Sequence, residues 1–165
     1  MTGIFDRRGF LVESQAKLDA ARTAGTTVAL LAFDIDNMVV LTESYGETAA
    51  AAVRARFAAV ASHCLRRHDV FGEMGPAAFS ALLSNLTAEQ ALVVAERVRQ
   101  AFAASGGIGA DNPATTVSIG VALARGRETD LQHLMQAAGR ALEEARSTGS
   151  GRIAGSTAAR PPAAG

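Results

Sequence analysis

Two kinds of hydrophobic pattern alternate along the chain. Some stretches repeat apolar residues every three or four positions, which is typical of a helix with one buried face. Others are short, β-branched and almost wholly apolar, which is typical of a strand covered on both faces. The first pattern predicts helices over residues 7–24, 37–44, 47–67, 85–105 and 130–147. The second predicts strands over residues 26–33, 69–74, 78–83 and 115–123, and a short closing strand at Arg152 and Ile153.

The mixed order of these elements indicates an α+β fold, with helices packed against a mixed sheet. Strands 69–74 and 78–83 are close enough along the chain to form a β-hairpin. Residues 154–165 are rich in Ala, Pro and Gly, which predicts a disordered tail. We therefore predict one domain over residues 1–153, followed by that tail.

Charge and composition exclude several classes of function. The 165 residues include 16 Lys and Arg and 16 Asp and Glu, so the formal net charge is zero. Binding to nucleic acid or to an anionic membrane surface is therefore not expected, and any anion must be bound by a local cluster. The single Cys64 excludes a disulfide framework and a Cys-based metal site. With no signal-peptide pattern and no apolar run of spanning length, we expect a cytoplasmic domain without membrane insertion.

Several short motifs resemble those of GGDEF domains, the diguanylate cyclases of bacterial signalling. They follow the family's order and spacing at residues 3–10 (GIFDRRGF), 33–36 (FDID), 45–46 (YG), 116–122 (TVSIGVA) and 141–146 (ALEEAR). The resemblance implies a five-stranded mixed sheet wrapped by helices, similar to the palm of nucleotidyl cyclases. Active members join two GTP molecules into cyclic di-GMP, with one GTP on each of two facing domains. It also implies a covalently linked sensory or effector domain in the full-length protein.

The tip of the predicted hairpin departs from the family pattern. The signature is replaced by Gly75-Pro76-Ala77-Ala78-Phe79, so both of its acids are alanines. Cyclase chemistry needs a divalent metal, and hard cations such as Mg²⁺ need carboxylate oxygens. By resemblance Asp34 is the metal-binding carboxylate that remains, and we expect it to be vestigial, with no Mg²⁺ cofactor. Pro76 also fixes φ and lacks an N–H where the family's second glycine approaches the nucleotide.

Positions that contact GTP in the family are changed as well. The resemblance assigns guanine recognition to Thr42 and Ala51, and other GTP contacts to Val39, Arg146 and Ser150. Ala51 offers no hydrogen bond to a base, and an unpaired base edge loses discrimination. Because metal, base and phosphate contacts are lost together, we predict no catalytic residues. Asp34 and Asp36 have another interpretation, in which they cap the following helix.

A second family site is retained by resemblance. Many GGDEF domains bind cyclic di-GMP at an inhibitory site written RxxD, completed by an arginine on the helix after the hairpin. These residues are Arg66, Asp69 and Arg97. An arginine can pair with guanine O6 and N7 or with phosphate, and a carboxylate can accept from the guanine N1–H and N2–H₂ edge. Alternatively, Arg66 complements a helix dipole and Arg97 pairs with a nearby Glu on a solvated face.

The leading hypothesis is a catalytically inactive GGDEF domain that acts as a cyclic di-GMP receptor, with a ligand-bridged homodimer as a secondary expectation. Two alternatives remain open. One is a nucleotide-independent protein-interaction or dimerisation module, favoured if neither GTP nor cyclic di-GMP raises the melting temperature. The other is a residual diguanylate cyclase, distinguished by product formation from GTP and Mg²⁺.

Overall fold

A computed structural model describes residues 4–106 and 113–157. The α-helices there are α1 (Arg7–Ala24), α2 (Met38–Tyr45), α3 (Glu47–Cys64), α4 (Ala88–Ala104) and α5 (Leu131–Ser147). The strands are β1 (Ile4–Phe5), β2 (Thr27–Ile35), β3 (Val70–Glu73), β4 (Ala78–Ser84), β5 (Val117–Arg125) and β6 (Ile153–Thr157). None of the described helices is long and apolar enough to cross a membrane.

The strands form a mixed sheet in the order β1-β3-β4-β2-β5-β6. The central strand β2 pairs antiparallel with β4 and β5, whereas β1 and β6 pair parallel with β3 and β5. This confirms the α+β fold, but the expected count of five strands is wrong. The sixth is β1, which is two residues long. So short a strand carries no recognisable alternation and exists because β3 offers it a partner.

Different helices cover the two faces of the sheet. One face packs against α3 and α4 around a cluster of phenylalanines centred on Phe57. The Phe57 ring contacts those of Phe33, Phe71, Phe79 and Phe102, with centroids 4.9–6.4 Å apart. The other face packs against α1 and α5.

The close approach of α5 to the sheet depends on Gly120 in β5. A Cβ at this position would lie 2.2 Å from the carbonyl oxygen of Ala138 in α5. A side chain would therefore force the helix outward, which is a common reason for glycine inside a strand.

Most predicted elements are confirmed, with differences at their ends. The hairpin is present, and Thr87 caps α4 in a reciprocal capping box with Gln90. Helix α3 ends at Cys64, not at residue 67, because the following turn is held by a side chain described below. Strand β6 continues through Thr157, so the prediction of a tail beginning at residue 154 is wrong for its first four residues. The rest of the predicted tail, residues 158–165, lies outside the described residues, as do residues 107–112 between α4 and β5.

Candidate functional site

The turn between α3 and β3 holds Arg66 and Asp69 together. The Asp69 carboxylate accepts the Arg66 backbone N–H at 2.7 Å, and Arg66 Nη2 lies 3.3 Å from Asp69 Oδ1. Arg66 Nη2 also donates to the backbone carbonyl of Ser84 at 2.9 Å. Asp69 thus replaces the helical partner of the Arg66 N–H, which ends α3 early, and the two contacts of Nη2 orient the guanidinium.

The two members of this pair differ sharply in exposure. The Arg66 side chain is 43% exposed, whereas that of Asp69 is 1% exposed. In this arrangement a ligand reaches the guanidinium but not the carboxylate. The expected role of Asp69, accepting from a guanine edge, stays a prediction; within the fold its buried carboxylate positions the Arg66 guanidinium.

Arg97 lies on α4, a helix that packs beside α3. Its charge acts on the Cys64 thiol at the end of α3, where it partly offsets the burial that raises the pKa of that thiol. Arg97 is exposed and has no ion pair with the described residues, because the neighbouring Glu96 pairs with Arg99 instead. The interpretation of Arg97 as one half of a surface pair is not supported. We call Arg66, Asp69 and Arg97 the arginine site; it contains two arginines and one aspartate.

At the hairpin tip, the replaced acids lie beside the remaining one. Ala78 pairs directly with Asp34 across β4 and β2, and the Ala77 carbonyl accepts the N–H of Ile35. The turn closes through hydrogen bonds from the N–H groups of Met74 and Gly75 to the Ala78 carbonyl. The hairpin therefore forms with Ala77 and Ala78 at its tip, the positions that the resemblance assigns to the signature acids.

Asp34 has a cation for a partner within the fold. Arg146 Nη1 of α5 lies 2.9 Å from Asp34 Oδ2, and the Asp34 side chain is 18% exposed. Burial raises the pKa of the Asp34 carboxyl, Arg146 lowers it in part, and the charges of Asp36 and Glu143 raise it further. The cation that approaches Asp34 is thus a guanidinium of the same chain.

Asp36 anchors the backbone and does not cap a helix. Its carboxylate accepts from Thr116 Oγ1 at 2.6 Å, Ser118 Oγ at 2.8 Å and the Gly151 N–H at 2.8 Å. The N-cap of α2 is Asn37, without a side-chain capping bond. The predicted capping role is therefore wrong for both acids, because Asp34 turns to α5 and Asp36 to β5 and the loop before β6.

An open groove of about 750 Å³ lies between the hairpin tip and helices α2 and α3. It is lined by Met38, Val39, Thr42, Glu43, Glu47, Arg54, Glu73, Pro76 and Ala77. Three of these residues are acidic and one is basic, and Arg54 pairs with Glu47 at 2.8 Å. We call this the acidic groove. Two positions with assigned GTP contacts line it: Val39 offers only methyl groups, and the Thr42 hydroxyl donates to the Met38 carbonyl at 2.7 Å.

Sequence reasoning did not find the acidic groove. Glu43 and Glu47 are four residues apart across a break between two helices, and Glu73 lies on the hairpin. No local sequence pattern relates these three residues, because they line one groove only once α2 and α3 pack beside the hairpin tip.

A family profile described as "Diguanylate cyclase, GGDEF domain" matches residues 1–152. The chain belongs to the GGDEF domain family. The probable diguanylate cyclase DgcT of Escherichia coli (strain K12) is 24% identical over 159 residues, covering 93% of this chain and 34% of that protein. Diguanylate cyclase A of Treponema denticola is 27% identical over 145 residues, covering 87% of this chain and 39% of that protein. This GGDEF domain thus spans well under half the length of these relatives.

Solved structures agree on the fold. The GGDEF domain of DgcB from Caulobacter crescentus, crystallised in complex with c-di-GMP, matches with a TM-score of 0.84 and 22% identity, covering 92% of this chain and 91% of that chain. At this identity the likeness establishes the architecture, and the chemistry depends on the residues present.

The residues present do not fit the divalent metal that the family implies. Asp34 faces Ala78 and is paired with Arg146, and the Asp36 carboxylate already accepts three hydrogen bonds. Nowhere in residues 4–106 or 113–157 do three His, Cys, Asp or Glu side chains group as a metal site. Since Mg²⁺ requires several oxygen ligands in near-octahedral geometry, a single paired carboxylate is a poor donor set.

Proposed function

We propose that this GGDEF domain lacks diguanylate cyclase activity and acts as a receptor for cyclic di-GMP at the arginine site. The observation that carries the proposal is the fixed Arg66 guanidinium, held by Asp69 and the Ser84 carbonyl and still 43% exposed. A preoriented guanidinium loses less conformational entropy when it binds an anion.

The chemistry of cyclic di-GMP matches this site. The ligand presents two phosphodiester anions and two guanines, each with O6 and N7 acceptors. Arg66 and Arg97 can each grip a phosphate or fork onto a guanine edge, while Asp69 holds Arg66 in place. That a related GGDEF domain was crystallised with c-di-GMP supports the choice of ligand.

The proposed absence of catalysis rests on the hairpin tip. The positions that the resemblance assigns to the tip acids are Ala77 and Ala78, which offer no metal ligand, and Asp34 is paired with Arg146. Pro76 removes a backbone donor at the place where the family approaches the nucleotide. Mg²⁺ therefore has no role in the proposed function.

A cytoplasmic location, a ligand-bridged homodimer and a covalently linked sensory or effector domain remain part of the proposal.

Titration calorimetry with cyclic di-GMP tests the receptor role. We expect wild type to bind, and Arg66→Ala or Arg97→Ala to weaken binding about ten- to hundredfold, the range for losing a charge-assisted hydrogen bond in each case. The matched control is Arg67→Ala, which removes an exposed arginine from the same turn and should change affinity less than about twofold. Binding should be insensitive to EDTA, and light scattering should show dimers only with ligand.

Two results would overturn the proposal. Absence of heat with wild type, or equal losses in all three arginine variants, would remove the specific site. Formation of cyclic di-GMP from GTP and Mg²⁺ would restore the enzyme interpretation.

A second candidate function, a nucleotide-independent interaction module, is favoured by one observation. Helix α2 exposes Val39, Val40 and Tyr45 at 73%, 60% and 50%. So many large apolar side chains on an eight-residue helix are typical of a surface that another molecule covers. If neither GTP nor cyclic di-GMP raises the melting temperature, this function is preferred.

A further inference from the structure

The acidic groove carries charge that the fold leaves uncompensated. Glu47 is paired with Arg54, whereas Glu43 and Glu73 have no ion-pair partner within residues 4–106 and 113–157. Glu43 projects from α2 and Glu73 from the end of β3, and both are exposed. An anionic nucleotide entering the groove would therefore meet repulsion, and a cation would meet attraction.

The rest of the groove is apolar. Val39 is 73% exposed, and Met38, Pro76 and Ala77 line the groove beside it. Burying an exposed valine under a partner removes apolar surface from water, at about 25 cal/mol for each Å². A small metal ion would gain nothing from these side chains. The preferred occupant combines a positive charge with apolar groups.

We propose that the acidic groove binds a short segment of a partner protein in which a Lys or Arg lies between apolar side chains. The basic group meets Glu43 and Glu73, and the apolar side chains cover Val39, Pro76 and Ala77. Charge complementarity selects this occupant over a nucleotide or an acidic peptide. A volume of about 750 Å³ accommodates a few side chains.

This binding surface is separate from the arginine site. Asp69 precedes β3 and Glu73 ends it, so the two sites lie at opposite ends of one strand. The inference therefore does not depend on cyclic di-GMP binding, and each can fail without the other.

Fluorescence anisotropy with synthetic peptides tests the inference. The probe is a short labelled peptide of Leu and Arg. The comparison peptides replace every Arg by Glu or every Leu by Ser. We expect only the Leu and Arg peptide to bind wild type strongly, with weaker binding at high salt. The double variant E43Q/E73Q should weaken binding about three- to thirtyfold, the sum of two exposed charge pairs, and Val39→Ser about three- to tenfold.

Matched controls lie on α1, on the opposite face of the sheet. Glu13→Gln removes an exposed acid and Val12→Ser an exposed valine, 61% accessible, and neither should change the anisotropy curve. All substituted positions are exposed, and circular dichroism checks that each variant is folded.

Several outcomes would overturn the inference. These are no binding of the Leu and Arg peptide, equal binding of the Ser-containing peptide, equal losses in the α1 controls, or displacement of the peptide by stoichiometric GTP. The inference is supported if the expected pattern is seen and cyclic di-GMP does not displace the peptide. This holds whether or not cyclic di-GMP binds at the arginine site.

Discussion

The arginine site and the acidic groove lie at opposite ends of β3 and carry opposite charge. The first pairs the exposed Arg66 with a buried carboxylate and adds an exposed Arg97 on α4, and the second is lined by three acidic residues and one arginine. Both belong to a chain with no net charge. A neutral composition therefore excludes a global field but not local ones, and each end selects a different class of ligand.

Two Arg–Asp pairs show why the ends differ. At the arginine site, the Asp69 side chain is buried and that of its partner Arg66 is 43% exposed. At the hairpin tip, Arg146 reaches Asp34 from α5, and Glu143 lies 3.5 Å from the same guanidinium. The first arrangement leaves positive charge available to a ligand, whereas the second neutralises it within the fold.

The largest expected effect is that of Phe57→Ala, which should disturb the sites at both ends of β3. Phe57 contacts Phe71 of β3 and Phe79 of β4, so it supports the strand that joins the two sites. We expect Phe57→Ala to lower the free energy of unfolding by about 3–5 kcal/mol, measured by urea denaturation, because it leaves a cavity in the core. Val12→Ala on the exposed side of α1 should cost less than about 0.5 kcal/mol. A loss below about 1 kcal/mol for Phe57→Ala would show that this ring does not hold β3.

A smaller effect should distinguish Asp34, which lies in β2, from Asp36, which follows that strand. Asp36→Asn places an amide donor among three donors, so we expect a loss of about 1–3 kcal/mol in the free energy of unfolding. Asp34→Asn at neutral pH should cost less than about 1 kcal/mol, since its partner Arg146 is half-exposed. Equal losses for the two variants would contradict the distinction between an anchor and a vestigial ligand.

A third prediction sharpens the role of Asp69. If Asp69 positions Arg66 and does not touch the ligand, Asp69→Asn should weaken cyclic di-GMP binding about tenfold. In an Arg66→Ala background the same change should have no further effect on the dissociation constant. Calorimetry on the four proteins of this cycle gives the answer, and an additional loss in the double variant would mean that Asp69 contacts the ligand directly.

The smallest effect concerns pH at the hairpin tip. Because burial raises the pKa of Asp34, the folded state holds this proton more tightly than the unfolded state. The contribution of Asp34 to stability therefore falls as pH rises from its ordinary pKa through the raised one. We expect Asp34→Asn to flatten the stability profile over that window and Arg146→Gln to steepen it, both measured by urea denaturation at several pH values. Identical profiles for Asp34→Asn and wild type would contradict the raised pKa.

Local signals explain which parts of the fold were predictable. The hairpin, the Thr87 cap and the strand that became β2 each follow from residues adjacent along the chain. The early end of α3 was missed because it depends on Asp69, five residues beyond the helix, which accepts the backbone N–H of Arg66. Strand β1 and most of β6 were missed because edge strands so weak in pattern form only against a partner already in place.

The sequence by itself determined the family frame and the residue types at the hairpin tip and at positions 66, 69 and 97, because these are matters of residue type and spacing. Only the tertiary structure decided that the Asp69 side chain is buried and bonded to Arg66, that Arg146 pairs with Asp34, and that Glu43 and Glu73 line a common groove. Burial and the distance between charges arise when elements far apart along the chain pack together, and these two quantities set whether a charge is available to a ligand.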